Sequence, residues 1–351
     1  IYIIEIKNGM KIAIIGAGVA GSFLSCLLNN KGYDVEVFEQ YTKERHFPVC
    51  AWGTSKHMLA HFCSMVGLDF NDYILHVGKR LDIYIQGSDK HEYLNLKGLV
   101  TYDKRRWEND MLKGVKINYG VRCTKDTFPL HKYDYVLDCT GFHRSMLPRP
   151  REDLTIPVWE YMLGNLSKER DFYVIGYRNA MGYFWHFPLS NGKAFVGSGH
   201  FKKDYYGIDE FLSEEPNAEI LMRIGRPVRL APVTRVEPIV YRNVIGVGES
   251  IGTVFPLLGE GITPSLQSAE ILYKLLTEGE FSEESYRYEL RRKLGYYDDV
   301  YKVLRLKMDG RFNMLRHSRL LYRIYKNMKR EEDRYGFEVS IDKFVNLLNA
   351  L

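Results

Sequence analysis

The segment Gly16-Ala17-Gly18-Val19-Ala20-Gly21 constrains this 351-residue chain more than any other. An apolar run, Lys11–Ile15, leads into it, and helical spacing continues from Val19 to about Asn30. The three glycines have separate tasks. Gly16 permits a tight turn, Gly18 lets backbone approach a pyrophosphate, and Gly21 lets the helix pack closely on the strand. The N–H groups opening the helix favour a phosphate's charge, and Ala17 and Ala20 complete the turn. Lys31-Gly32 closes the helix, and Asp34–Phe38 alternates as a second strand. This βαβ opening predicts an α/β chain with a doubly wound sheet. Glu39, ending the second strand, is placed to accept ribose hydroxyl hydrogen bonds and disfavours a 2′-phosphate. FAD and NAD remain equally compatible with this segment.

Downstream the pattern becomes mixed. Leu81–Ile85 and His91–Leu96 read as a hairpin around Gly87-Ser88, Asp103–Leu112 as a helix, and Lys116–Val121 as a strand. Tyr133–Asp138 and Asn243–Val247 read as buried strands, and Pro264–Leu276 as a helix. From Pro157 to Arg235 come aromatic-rich strand pieces, and from Ser282 onward the chain is helical and charged. The expected organisation is a discontinuous Rossmann-like dinucleotide domain (1–47, 98–150, 236–280) with an inserted antiparallel-sheet substrate domain (48–97, 151–235). A C-terminal helical region (281–351) follows.

Composition narrows the function classes. A net charge of +5 is too mild for a nucleic-acid partner. The five cysteines, Cys26, Cys50, Cys63, Cys123 and Cys139, form no Cys-x-x-Cys pair, which argues for reduced thiols in a cytosol and against a metal site. No stretch approaches 18 uncharged apolar residues, so no spanning helix is expected. Ile1–Ile6 is too short for a signal-peptide core, and Met10-Lys11 reads as a natural start.

Two further segments bear on the cofactor. Gly246-Val247-Gly248-Glu249-Ser250-Ile251-Gly252 follows a buried strand and precedes Phe255-Pro256-Leu257-Leu258-Gly259-Glu260-Gly261-Ile262. Tyr135-Val136-Leu137-Asp138-Cys139-Thr140-Gly141 is a strand entering an Asp-x-x-Gly turn. In this order the three segments resemble flavoproteins with a glutathione-reductase-like fold, which implies FAD. In that family an acid near the second segment binds the ribityl chain, and a Gly-Ile backbone approaches the flavin. Glu249 stands here where Asp is usual. No second Gly-x-Gly-x-x-Gly follows a strand, so no dedicated nicotinamide domain is expected.

Tyr183-Phe184-Trp185-His186-Phe187-Pro188 is followed by Gly197-Ser198-Gly199. In a regular strand Tyr183, Trp185 and Phe187 share one face. Such a stripe can pack a sheet against helices, or it can wall a binding site. The pattern resembles the geranylgeranyl reductases of archaea and plants, which carry Tyr-x-Trp-x-Phe-Pro and then Gly-x-Gly. Pro48-Val49-Cys50-Ala51-Trp52-Gly53 resembles that family's Pro-x-Cys-Gly segment, with Ala51 where Gly is common.

The resemblance covers roughly residues 11–270. It implies FAD contacts from Glu39, Gln40, Cys50, Ala51 and Gly53, and from Arg105 (or Lys104, one position away). Cys123, Glu249, Gly259, Gly261 and Ile262 complete that set. It also implies substrate contacts from Tyr183, Trp185, Phe187, Pro188, Gly197 and Gly199. The implied activity is reduction of double bonds in isoprenoid lipid chains, as in archaeal-type membrane lipids, with electrons from ferredoxin or a reduced nicotinamide. Cys50 and Tyr183 are the candidate proton donors. His186 ranks last because it faces away from the aromatic row, and Cys50 also reads as a small buried hydrophobe.

Three alternatives stay open: a flavin monooxygenase, a halogenase of related fold, and an FAD electron carrier. Arg311–Arg330 holds seven Lys/Arg and no Asp/Glu among apolar residues. It reads either as a solvated helix face or as a basic amphipathic helix resting on anionic lipid at the inner membrane face.

Overall fold

The structure is a computed structural model that describes residues 9–89 and 91–350. Ile1–Ile6 lies outside the described residues.

The opening unit folds as its pattern predicts. Lys11–Ile15 and Asp34–Glu39 pair in parallel and are joined by the helix Val19–Asn30. They sit within a six-stranded sheet ordered Val240–Tyr241, Val244–Gly246, Tyr135–Asp138, Lys11–Ile15, Asp34–Glu39, Lys116–Tyr119. Every pairing in it is parallel except the outer hairpin. Ile12, Ala13 and Ile14 are fully buried, as strands covered on both faces require. Gly16 adopts φ +99°, and a Cβ there would lie 2.6 Å from the Cys139 carbonyl oxygen. A Cβ on Gly21 would lie 1.9 Å from the Gly16 carbonyl oxygen, so only glycine lets this helix approach the turn.

On the neighbouring strand Asp138, whose side chain is wholly buried, braces the turn that follows it. Its Oδ1 accepts from the Thr140 N–H (3.1 Å) and hydroxyl (2.6 Å), and its Oδ2 from the Met146 and Leu147 N–H groups (2.9 and 3.1 Å). Four donors around one carboxylate compensate its removal from water.

A seven-stranded sheet forms the second body, ordered Glu219–Gly225, Val158–Gly164, Ala194–His200, Gly182–Pro188, Phe172–Gly176, Arg80–Ile85, His91–Asn95. The expected hairpin 81–96 joins it through a parallel pairing of Arg80–Ile85 with Phe172–Gly176. Leu99–Tyr102, grouped by sequence with the dinucleotide segments, pairs with Gly53–Ser55 and Ile74–Val77 in a separate three-stranded sheet. All four of its residues are buried, so its apolar pattern suits either sheet.

The C-terminal helices dock onto this small sheet. Gly336 accepts from the Lys97 and Leu99 N–H groups at 2.7 and 3.0 Å. Arg334, 3% exposed, stacks beneath Tyr335 (4.3 Å to the ring centroid) and between Phe255 and Tyr297. It pairs with Glu260 and Glu331, both at 3.2 Å. In the basic segment, helix Ser318–Arg330 buries Leu320, Leu321, Ile324 and Met328 against the protein's own core. The apolar face of that helix is therefore covered, while Leu315 and Tyr322 stay exposed. No helix of the described residues is long and apolar enough to cross a membrane.

Asp138→Ala strands two buried and two half-buried donors and is expected to cost about 3 kcal/mol. Asp138→Asn, which keeps one acceptor oxygen, is expected to cost less. Urea unfolding midpoints at constant slope check both.

Candidate functional site

A cavity of about 1010 Å³ runs from the glycine turn, between the two large sheets, to the C-terminal helices. At its first end Gly18 caps the helix Val19–Asn30 with no side-chain hydrogen bond, and a Cβ there would meet nothing within 4 Å. Unsatisfied helix N–H groups facing open space make a cradle for an anion. Gly16, Gly18 and Ala20 line it. Ala17 and Gly21 lie behind, where Ala17 donates its N–H to Glu39 Oε2 at 3.0 Å.

Glu39 is buried and lines the cavity beside Gln40. Its other oxygen accepts from the Tyr41 N–H at 3.0 Å. A carboxylate so held is oriented, and each oxygen keeps a lone pair for a ribose hydroxyl. Cys123 is also on this wall, its thiol pushed up to about 11 by burial. Glu249 lines the middle of the cavity, where Oε2 accepts from Arg226 (2.8 Å) and Oε1 from the Arg229 N–H (3.0 Å). Gly259, Gly261 and Ile262 line the stretch opening helix Ile262–Glu278.

The two basic candidates at the start of the helix Lys104–Met111 point different ways. Lys104 reaches the cavity wall and is buried in an ion pair with Glu108 at 2.7 Å. Arg105 turns the other way, over the Phe47 ring (5.8 Å), toward the Glu44 carbonyl (3.3 Å). The Asp103 cap, accepting from the Arg106 N–H, sets this phase. Cys50, Ala51 and Gly53 line the cavity nearby. Burial pushes the Cys50 thiol up, against the pull of Lys104.

The aromatic strand walls the cavity with the row its alternation predicts: Tyr183, Trp185 and Phe187 face inward. Each large ring needs a neighbour without a side chain. Trp185 pairs across the strands with Gly197, and a Cβ on Gly197 would lie 2.2 Å from the indole. A Cβ on Gly53 would lie 2.3 Å from the Phe187 ring. Gly199 lines the cavity opposite Tyr183. Gly197 and Pro188 therefore support the wall from behind, and the Pro188 carbonyl accepts the Thr101 hydroxyl. The Tyr183 hydroxyl donates to the Leu258 carbonyl, and burial pushes its pKa up. His186 faces the opposite side, stacked on Tyr173 (5.1 Å), and burial pushes it down to about 4.

Two features of the cavity escaped the sequence. Glu160, 3% exposed, projects from Val158–Gly164 into the same cross-strand row as Gly197 and Trp185. Its Oε2 accepts from the Trp185 indole N–H at 3.3 Å, and its Oε1 has no hydrogen-bond partner. Burial pushes its carboxyl up to about 8. An acid at the middle of Val-Trp-Glu-Tyr-Met-Leu, in phase with Val158 and Met162, was the available signal. The other feature is the far wall, where Phe344, Leu347 and Leu348 from Ile341–Ala350 close an apolar end.

A dinucleotide cradle and an aromatic wall opening on one cavity are the fold of an FAD-dependent oxidoreductase. Residues 14–43 match the NAD(P)-binding Rossmann-like domain. An uncharacterized protein of Methanocaldococcus jannaschii is 23% identical, with 92% of this chain and 97% of that protein aligned. Among solved structures, the fold is similar to a geranylgeranyl bacteriochlorophyll reductase-like protein from Thermoplasma acidophilum (TM-score 0.65, 15% identity, 93% of this chain and 99% of that one). It is also similar to a flavin-dependent brominase (TM-score 0.68, 13% identity, 97% and 98%). A probable FAD-dependent monooxygenase from Pseudomonas aeruginosa is a further likeness (TM-score 0.61, 16% identity, 87% and 100%).

The two basic neighbours are separable by stability. Lys104→Met leaves Glu108 buried without its cation and is expected to cost roughly 3–5 kcal/mol. Arg105→Met is expected to stay within about 0.5 kcal/mol. Denaturant unfolding of both variants checks the difference.

Proposed function

We propose that this protein is an FAD-dependent reductase that saturates carbon–carbon double bonds in isoprenoid chains of geranylgeranyl type. The observation that carries the reading is one continuous cavity that joins the anion cradle at Gly18, the Tyr183–Trp185–Phe187 wall and an apolar far end. The residues fit FAD: the cradle would take a pyrophosphate, Glu39 a ribose hydroxyl, and the backbone N–H groups of Gly259–Ile262 the flavin ring. Bound and reduced FAD supplies a hydride.

The chain's residues do the rest. Ile83, Val174 and Ile224 from the large sheet, with Leu347 and Leu348, give a polyprenyl chain apolar contact along its length. An unactivated alkene develops no oxyanion, so holding it in line and excluding water lower its barrier. Ring faces of Trp185 and Phe187 favour developing positive charge. Electrons come from ferredoxin or a reduced nicotinamide. Anionic lipid is the surface proposed for the exposed Arg316, Arg319 and Lys326 with Leu315 and Tyr322. Greater flotation with anionic than neutral liposomes is the expected result there.

A second reading, monooxygenase or halogenase, rests on the likeness to the brominase and the monooxygenase. The deciding experiment reduces purified protein with dithionite under anaerobiosis, adds geranylgeranyl lipid, and weighs the products. A gain of two hydrogens per bond supports the reductase. Unchanged lipid with oxygen uptake coupled to hydroxylation supports the second reading. For the cofactor site, Gly18→Val fills open space and is expected to leave the apoprotein folded while weakening FAD retention more than about tenfold. Fluorescence titration of apoprotein with FAD checks it.

A further inference from the structure

Saturating an alkene needs a proton as well as a hydride, and burial makes the two donors named from sequence weaker acids. The Tyr183 hydroxyl is engaged with the Leu258 carbonyl, and both burial and the nearby Glu160 push its pKa up. Cys50 is held as a thiol by the same burial.

The buried carboxylates on the cavity wall differ in their partners. Glu39 is held by two backbone N–H groups, with His46 at 4.0 Å, and Glu108 faces Lys104 at 2.7 Å. Glu160 has one neutral donor, the Trp185 indole, and its free oxygen Oε1. A carboxylate buried with no cation in contact is costly, so the group keeps its proton into the neutral range. Its position is equally telling. The row across the sheet runs Ile224, Glu160, Gly197, Trp185, Val174, Ile83, Glu92, and Ile224, Glu160, Trp185, Val174 and Ile83 line the cavity. Of the two acids in this row, Glu160 lines the cavity and Glu92, on the edge strand, does not. Because Gly197 has no side chain, the indole crosses it and reaches Glu160.

We propose that Glu160 is the catalytic acid of this cavity, delivering its proton to the substrate from Oε1, with Trp185 as the positioning residue that holds Oε2. The inference rests on the reductase reading. A hydride from the dihydroflavin bonds to one alkene carbon, and the π electrons move toward the other. The Glu160 O–H bond breaks, its proton bonds to that second carbon, and the electron pair stays on the carboxylate. Solvent then returns a proton to Glu160. The titratable groups turned toward Glu160 are Cys50, Tyr183 and Lys104, and Lys104 opposes the effect of burial.

The test uses FAD-loaded protein, wild type, Glu160→Gln and Trp185→Phe. Infrared difference spectra, taken without turnover, read the carbonyl stretch of a protonated carboxyl. The expected result is a band in wild type that titrates near pH 8. It is absent in Glu160→Gln and shifted to higher pH in Trp185→Phe, which loses the N–H that favours the carboxylate.

Rapid mixing of pre-reduced protein with geranylgeranyl lipid reads the chemical step. Glu160→Gln is expected to slow flavin reoxidation by lipid by roughly 10²-fold or more while FAD retention and dithionite reduction are unchanged. The wild-type rate is expected to fall as pH rises through the titration of the infrared band. A Glu160→Gln rate equal to wild type overturns the acid role and leaves the reductase standing. Wild-type protein that reduces no lipid overturns the reductase reading, and the acid role with it. Should Glu160→Gln fail to fold, a band unmoved in Trp185→Phe overturns the proposal.

Discussion

Large rings packed against glycine backbone shape the wall of this cavity. A sheet face crowded with side chains fills itself, and a close-packed interior leaves little room for a ligand. Here Trp185 covers Gly197 and Phe187 covers Gly53, so that two aromatic side chains occupy space their neighbours have vacated. The rings then form a smooth wall instead of plugging the interior. Gly53 belongs to the small three-stranded sheet and Phe187 to the large one, so the same contact that shapes the wall also ties two sheets together.

The electrostatics follow from burial. Ionisable groups brought into the cavity have been given different company, and that company sets their state. Beside the cavity Asp138 has four donors from the turn that follows its own strand, while on the wall Lys104 and Glu108 neutralise each other. Arg334 sits among four ring or hydroxyl neighbours and two carboxylates, which fastens the C-terminal helices over the cavity's far end. Glu160 is the exception, because an indole N–H favours the carboxylate far less than a cation would.

Much of the dinucleotide end was legible residue by residue. Gly16, Gly18 and Gly21 act through backbone geometry, which a local pattern encodes directly, and Glu39 follows from the end of the strand they open. The aromatic row was legible for a similar reason: strand alternation alone puts Tyr183, Trp185 and Phe187 on one face and His186 on the other. Lys104 against Arg105 was not legible, because neighbours on a helix point about 100° apart and an uncertainty of one position exchanges them. The Asp103 cap resolves the register once its hydrogen bond is seen. Leu99–Tyr102 enters the three-stranded sheet, which its pattern did not reveal, because a strand buried on both faces does not say which sheet it joins.

By itself the sequence determined the βαβ opening, the order of the glycine segments and the facing of the aromatic strand, all of which depend on residues within a few positions of each other. Only the tertiary structure decided that Glu160 stands beside Trp185, 25 residues away, and that helices after residue 281 close the cavity. Those outcomes depend on cross-strand register and on which apolar faces meet. Side chains distant in the chain acquire a shared dielectric and shared partners only when sheets and helices pack.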